Sequence, residues 1–184
     1  MILYKNQLLG ATMNVTQCRI YFLGGVFSQW TKCNIYDANL DITFNCAEQA
    51  MMYAKALTFF DQDAAQQVLD TLDPREHKAI GRSIKNYDDA RWSEVRFDIV
   101  KNINYMKFNQ NPTWRELLIM TYPYELIEAN PSDTIWGVGL HEDDPLILSK
   151  DNWKGTNLLG QAIMAARDMI LKNYTVSLKN TYER

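Results

Sequence analysis

Histidine and cysteine are scarce in this chain, and their scarcity removes several classes of chemistry at the outset. Among 184 residues there are 2 His and 3 Cys. With only His77 and His141 available, a His-rich metal centre is excluded and a Ser-His-Asp triad is disfavoured. Cys18, Cys33 and Cys46 are odd in number, well separated and never form a CxxC pair. They suggest neither a disulfide framework nor a zinc site, and are read as buried thiols. A phosphate loop of the Walker type and a GxGxxG turn are both missing. No run reaches the ~18 apolar residues of a membrane span. The N-terminus lacks the basic region, apolar core and small-residue cleavage site of a secretory leader, so a cytoplasmic protein without a membrane partner is expected. A basic surplus is lacking too: Lys and Arg total 19 against 22 Asp and Glu, for a net charge of −3. That balance argues against sequence-independent gripping of a nucleic-acid backbone.

What is present is ordinary for a globular chain: 47% hydrophobic and 22% charged residues, with enough length for one domain and a real core. There is no internal repeat, low-complexity run or Pro/Gly/Ser-rich linker, so a single domain over 1–184 is expected. The first forty or so residues are rich in β-formers and read as short strands, Ile20 to Leu23 before Gly24-Gly25 and Ile42 to Phe44 after it. Helical signals follow. Asn45 offers an N-cap for a helix through Ala56, and residues 60–72 read as a second. Asp73-Pro74 opens a third that stops near Gly81, and residues 88–108 form the longest. Asn111-Pro112 starts another that ends before Pro123. Residues 125–129 read weakly as a strand. Asn157 caps a last helix with Leu159, Ala162, Ile163, Ala166, Met169 and Ile170 inward. The core is expected over about 20–172, with 173–184 a polar tail.

The segment over 45–56 places Glu48 and Lys55 seven residues apart in an otherwise apolar stretch. Seven residues is nearly two turns, so both fall on one face, roughly 10 Å apart along the axis. An ionisable group on a buried helix must find a partner, shift its pKa or serve a function. Two readings of Glu48 stand together: a capping-box carboxylate at N3 above Asn45, or a rigid carboxylate presented to a cleft. Four more segments stand out. FSQW at 27–30 carries two aromatics and a hydroxyl, with Ser28 and Trp30 as candidates. The long helix sets Trp92, Arg96 and Lys107 on one apolar stripe, where Trp92 can simply pack and the cations can snorkel or pair. Ser132 to Gly139 flanks Trp136 with glycines, which either make a turn or let backbone approach a ligand. Residues 153–160 feed a helix N-terminus at Asn157, suited to an anion unless Asn157 itself caps it. Together these are the inventory for a nucleotide-like ligand: rings for a base, cations for phosphate, a carboxylate for work at the sugar.

At these residues the chain resembles the NADAR, or YbiA-like, family from about Phe22 to Leu171. The blocks are FSQW at 27–30, AEQAMMYAKA at 47–56, GR at 81–82, Trp92 with Arg96, KF.QN at 107–111, EA at 128–129, D.IWGVG at 133–139 and WKGTNLLG at 153–160. Their order makes the signal specific. The resemblance implies a predominantly helical α+β domain with a small antiparallel sheet, and a metal-free N-glycosidase with no cofactor. It implies Glu48 as the catalytic carboxylate of an oxocarbenium-like hydrolysis, with Asp133 orienting water or ribose. Trp92, Trp136 and Gly137 would line the pocket, alongside Ser28, Trp30 and Asn157. Lys55, Arg82, Arg96 and Lys107 would hold phosphate, Arg96 and Lys107 foremost. Family members act either on phosphoribosylamino-pyrimidine intermediates of riboflavin biosynthesis or on ADP-ribosylated guanine in nucleic acid. The riboflavin type carries an acidic residue between the glycines after the tryptophan, where this chain has Val138, followed by an insertion over 140–151. The resemblance therefore favours ADP-ribose on guanine, in a nucleotide or in single-stranded DNA, as substrate. The role it implies is antitoxin or counter-defence, and the alternatives are a hydrolase of phosphoribosylamino-pyrimidine intermediates of riboflavin biosynthesis or a non-catalytic module that binds ADP-ribose or a nucleotide.

Overall fold

The protein is described by a computed structural model. It covers residues 14–16 and 18–182, with side chains from 18 to 173. The fold is α+β and predominantly helical. It forms two compact units, one of residues 1–28 with 111–184, the other of residues 29–110.

In the first unit, β1 (Asn14–Thr16) and β2 (Arg19–Phe22) run antiparallel, with Asn14 opposite Tyr21. The expected strand at 125–129 forms as β5 (Glu125–Glu128) and pairs with β2 in parallel, Arg19 opposite Glu125 and Phe22 opposite Glu128. This sheet is mixed, β1-β2-β5, and its parallel pair was not foreseen. A parallel pairing needs a long crossover, and here more than a hundred residues separate the two strands. Helix α5 (Pro112–Met120) begins with Pro at N1 after Asn111, as the Asn-Pro signal requires. Helix α6 (Leu158–Tyr182) packs on β5 and α5. Its buried Leu159, Ala162, Ile163, Ala166 and Ile170 recur at helical spacing. A satellite core gathers Tyr21, Ile127, Ala129, Val138, Leu140 and Ile147 against Trp153.

Helix α6 runs past Asn173 to Tyr182, since nothing between them is Gly or Pro to break it; residues 183–184 of the expected polar tail lie outside the described residues. One expectation is corrected in this unit. Cys18 is exposed rather than buried. It sits at the turn between β1 and β2 with φ of 64°, a position that points away from any core.

The second unit carries the expected antiparallel sheet, the hairpin β3 (Ile35–Asp37) with β4 (Ile42–Phe44). Asp37 Oδ1 accepts from Asn39 and Leu40 N–H to shape the turn. Four helices follow: α1 (Ala47–Thr58), α2 (Gln62–Asp70), α3 (Pro74–Arg82) and α4 (Asp89–Gln110). Helix α1 packs against the other three. That central place explains a helix apolar nearly all round. Gly81 of α3 lets α1 come close, because a Cβ there would run into Met52 Sδ. Gln110, at the end of α4, acts as a short strand for the β3 edge. Its amide accepts from Tyr36 N–H at 2.8 Å and donates to Tyr36 carbonyl at 2.7 Å. Helix α1 ends in a Schellman motif: Asp61 N–H bonds Ala56 carbonyl and Phe60 N–H bonds Leu57 carbonyl. Phe60 holds the left-handed position at φ 59°, where glycine is the usual residue.

Candidate active site

The local chemistry at the start of α1 differs from the capping box that the sequence suggests. The N-cap is Cys46, not Asn45. Its backbone is extended and its Sγ accepts from Gln49 N–H at 3.4 Å. Gln49, at N3, is the residue that reaches back: its Oε1 accepts from Asn45 N–H at 2.7 Å, while its Nε2 donates to Val68 and Thr71 carbonyls. The start of α1 is thereby tied to the end of α2. Glu48 falls at N2, and the reciprocal role assigned to it belongs to Gln49 one residue on. A single-residue shift of the helix start is enough to do this, because a helix turns about 100° per residue.

Glu48 is buried, at 4% exposure, and its backbone N–H donates to the Gln29 carbonyl at 2.9 Å. The carboxylate is thus carried on a helix whose first turn is anchored on several sides. Its field reaches Cys46: burial pushes that thiol up to about 11, with the Glu48 charge adding in the same direction. It also reaches Lys55.

Lys55 projects from the last turn of α1 and donates to the Gly81 carbonyl at 2.6 Å. Its ammonium lies 4.2 Å from the centroid of the Tyr87 ring and 5.8 Å from that of Trp92, within cation–π range. Burial lowers its pKa, against the opposing pull of Asp89 and Glu48. Tyr87 in turn donates to Asp89 Oδ1 at 2.7 Å. Desolvation first, and that hydrogen bond second, push its phenol up to about 12, while Arg96 pulls the other way. Within this unit, then, the structure brings together Lys55, Trp92, Arg96 and a residue the sequence reading passed over, Tyr87. Arg82 is exposed in the last turn of α3, next to the Gly81 carbonyl that holds Lys55. Trp30 is 40% exposed, with the Lys78 ammonium 6.0 Å from its ring.

Lys107 lies elsewhere. It is fully buried, and its charge is set against Cys33 and Cys46. Desolvation pulls its pKa down to about 8, with the two thiols opposing. The apolar stripe that marked it on the sequence is real, since Trp92, Val100 and Ile103 are buried on α4 as well, but it carries Lys107 into the interior.

The remaining candidates belong to the other unit, Ser28 among them, at the end of the 3-10 turn over Gly25–Phe27. Asp133 Oδ1 accepts from Ile135 and Trp136 N–H at 2.9 and 2.7 Å, an Asx turn that shapes the glycine-flanked loop. A side chain at Gly137 would be tightly placed, because a Cβ would sit 3.0 Å from the Asp133 and Glu128 carbonyls. Asn157 joins the loop to β5: its Oδ1 accepts from Glu128 N–H and its Nδ2 donates to Leu126 carbonyl, both at 2.9 Å. The structure therefore gathers Asp133, Trp136, Gly137 and Asn157. It also corrects two readings of that helix start. Asn157 uses its side chain on the strand instead of capping α6. The first N–H groups of α6, those of Leu158 and Leu159, donate to Ile135 and Trp136 carbonyls rather than standing open to an anion.

A second residue was missed, Gln29. It is buried at 7% exposure, and neither its amide nitrogen nor its amide oxygen has a hydrogen-bond partner. The FSQW block drew attention to Ser28 and Trp30 because a hydroxyl and an aromatic advertise chemistry. The glutamine between them gives no periodic signal. Among the described residues, no three or more His, Cys, Asp or Glu cluster in a way that could hold a metal ion, and no helix is long and apolar enough to cross a membrane.

A predominantly helical α+β fold is what the family resemblance implied, and comparison with known proteins agrees. The NADAR domain model matches residues 22–171. This chain belongs to the NADAR family. It is 34% identical to N-glycosidase R617 of Acanthamoeba polyphaga mimivirus over 146 residues, 78% of this chain and 86% of that protein. It is 36% identical to protein irg-1 of Caenorhabditis elegans over 129 residues, 69% of this chain and 61% of the other. The NMR structure of the E. coli protein YbiA superposes with a TM-score of 0.70 at 23% identity, covering 89% of this chain and 92% of that one.

Proposed function

We propose that this N-glycosidase of the NADAR family removes ADP-ribose from guanine, in a nucleotide or in single-stranded DNA, with Glu48 as the catalytic carboxylate. The observation that carries the reading is the position of Glu48: buried and anchored in the first turn of α1, next to the capping contacts that Cys46 and Gln49 make. Cleavage of an N-glycosidic bond builds positive charge at C1 of the ribose, and a fixed carboxylate in a water-poor site stabilises that charge. Water adds to C1 and passes a proton to Glu48, and the C1–N electron pair leaves with the base, which takes that proton. Lys55, flanked by Tyr87 and Trp92 about two turns along the same helix, supplies the cation and flat faces suited to a phosphate and a base. A guanine read as one exposed nucleotide does not require a basic tract, in keeping with the net charge of −3.

The test offers the wild type two substrates side by side, ADP-ribosylated single-stranded DNA and a phosphoribosylamino-pyrimidine, and follows both by mass spectrometry. The expected result is free ADP-ribose and restored guanine from the first. Glu48→Gln is expected to lower kcat by roughly 10³-fold or more with an unchanged melting temperature. Full activity in Glu48→Gln removes Glu48 from the mechanism, and turnover of the pyrimidine substrate alone overturns the ADP-ribose assignment.

A further inference from the structure

The side-chain amide of Gln29 is unlike the other amides in its unit that carry a buried atom without a partner. Asn45 and Asn104 each have a side-chain oxygen without a partner, yet the nitrogen of each is bonded, Asn45 to the Leu72 carbonyl and Asn104 to the Val100 carbonyl. Gln29 has a partner at neither end while almost wholly withdrawn from the surface. Buried polar groups are nearly always hydrogen-bonded, and an amide with both ends unmet is strongly unfavourable for the folded chain. A residue chosen for stability at this place would be apolar. Its location supplies the reason for keeping an amide: the Gln29 carbonyl holds the backbone N–H of Glu48 at 2.9 Å, so the amide belongs to the residue that fixes the carboxylate.

We infer that Gln29 is a ribose-binding residue, its amide meeting the vicinal 2′- and 3′-hydroxyls of the sugar whose C1 faces Glu48. The inference rests on the reading of Glu48 given above. Chemistry favours the hydroxyls as the match. Each hydroxyl both donates and accepts, so a neighbouring pair satisfies the N–H and C=O of one amide at once. The same contact orients C1 toward the carboxylate. A site built to bond a hydroxyl discriminates sharply against a substrate that lacks it, because the protein group is then left unpaired.

The variant is Gln29→Met, which keeps the length and unbranched shape and deletes the amide. Its melting temperature is expected to equal or exceed that of the wild type, since an unmet buried amide has been removed. Its kcat/KM on ADP-ribosylated guanosine is expected to fall on the order of 10- to 100-fold. With a substrate whose ADP-ribosyl sugar, the one cleaved from guanine, is 2-deoxyribose, the ratio of ribose to deoxyribose kcat/KM is expected to be about 10- to 100-fold lower in Gln29→Met than in the wild type. A variant that discriminates between the sugars as strongly as the wild type, or that loses melting temperature and slows equally on both, overturns the inference. Calorimetric binding of free ADP-ribose separates this from the glycosidase reading. If the wild type binds ADP-ribose but cleaves neither substrate, and Gln29→Met binds it at least 10-fold more weakly, the ribose contact stands and the glycosidase reading falls. Equal binding by both proteins removes Gln29 from the site.

Discussion

Lys107 shows how a single side chain can carry a measurable signature of the interior. An ammonium with no exposed surface is held well below its ordinary pKa by desolvation, at about 8, whereas in the unfolded chain it returns to roughly 10.5. The unfolded state therefore binds the proton more tightly, and the penalty for a charged Lys107 is relieved as pH rises through about 8. Cys46 acts in the opposite sense. Its folded pKa is raised to about 11, so it withdraws stability as pH climbs above about 9. Between pH 8 and 9 the lysine dominates this pair. Wild type minus Lys107→Met is expected to gain stability across that interval, by up to about 1 kcal/mol per pH unit, measured as the shift in urea midpoint at each pH. Identical slopes in the two proteins would show that the ammonium is solvated.

At the scale of elements, the join between the glycine-flanked loop, β5 and the start of α6 depends on Asn157. Its amide closes two hydrogen bonds to the β5 backbone, and its own φ of 54° lies in the left-handed region that Asn tolerates better than Ala. Asn157→Ala leaves the Glu128 N–H and the Leu126 carbonyl without their partner and adds backbone strain. Together these are expected to destabilise the protein by about 2–4 kcal/mol, read from denaturant unfolding. If Asn157→Ala unfolds at the wild-type midpoint while turnover falls, the residue is a substrate ligand and not a strap. The start of α1 makes a related point without mutation. Its cap is a thiol, a weak acceptor, reinforced by a glutamine that ties α1 to α2. That arrangement puts Glu48 at N2, between the two residues that make the capping contacts.

For the whole molecule, the net charge of −3 limits how substrate can be held. A chain without a basic surplus contacts few phosphates, and each phosphate neutralised on a single strand adds about 0.7 to the slope of log affinity against log salt. Raising salt from 50 to 200 mM is expected to raise KM for modified single-stranded DNA by less than about 10-fold. A change of 10³-fold would point to an extended grip on the backbone. Much of the molecule was legible in the residues themselves. Asp73-Pro74 and Asn111-Pro112 mark helix starts because N-capping and a proline at N1 are local chemistry, and both helices begin at those prolines. The ordered motif blocks were sufficient for the family, since each is a short run of adjacent residues. What depended on distant partners was not legible. The parallel pairing of β2 with β5, the exposure of Cys18, the depth of Lys107, the amide of Gln29 without partners and the aromatic seat of Lys55 each depend on residues far apart in the chain. The sequence by itself determined the helix starts at Pro74 and Pro112, the class of fold and the family the chain joins, because those follow from neighbours within a turn or two. Only the tertiary structure decided that Cys46 and Gln49 make the capping contacts and that Glu48 is buried, because burial and hydrogen-bond satisfaction are set by what packs against a side chain, not by what precedes it.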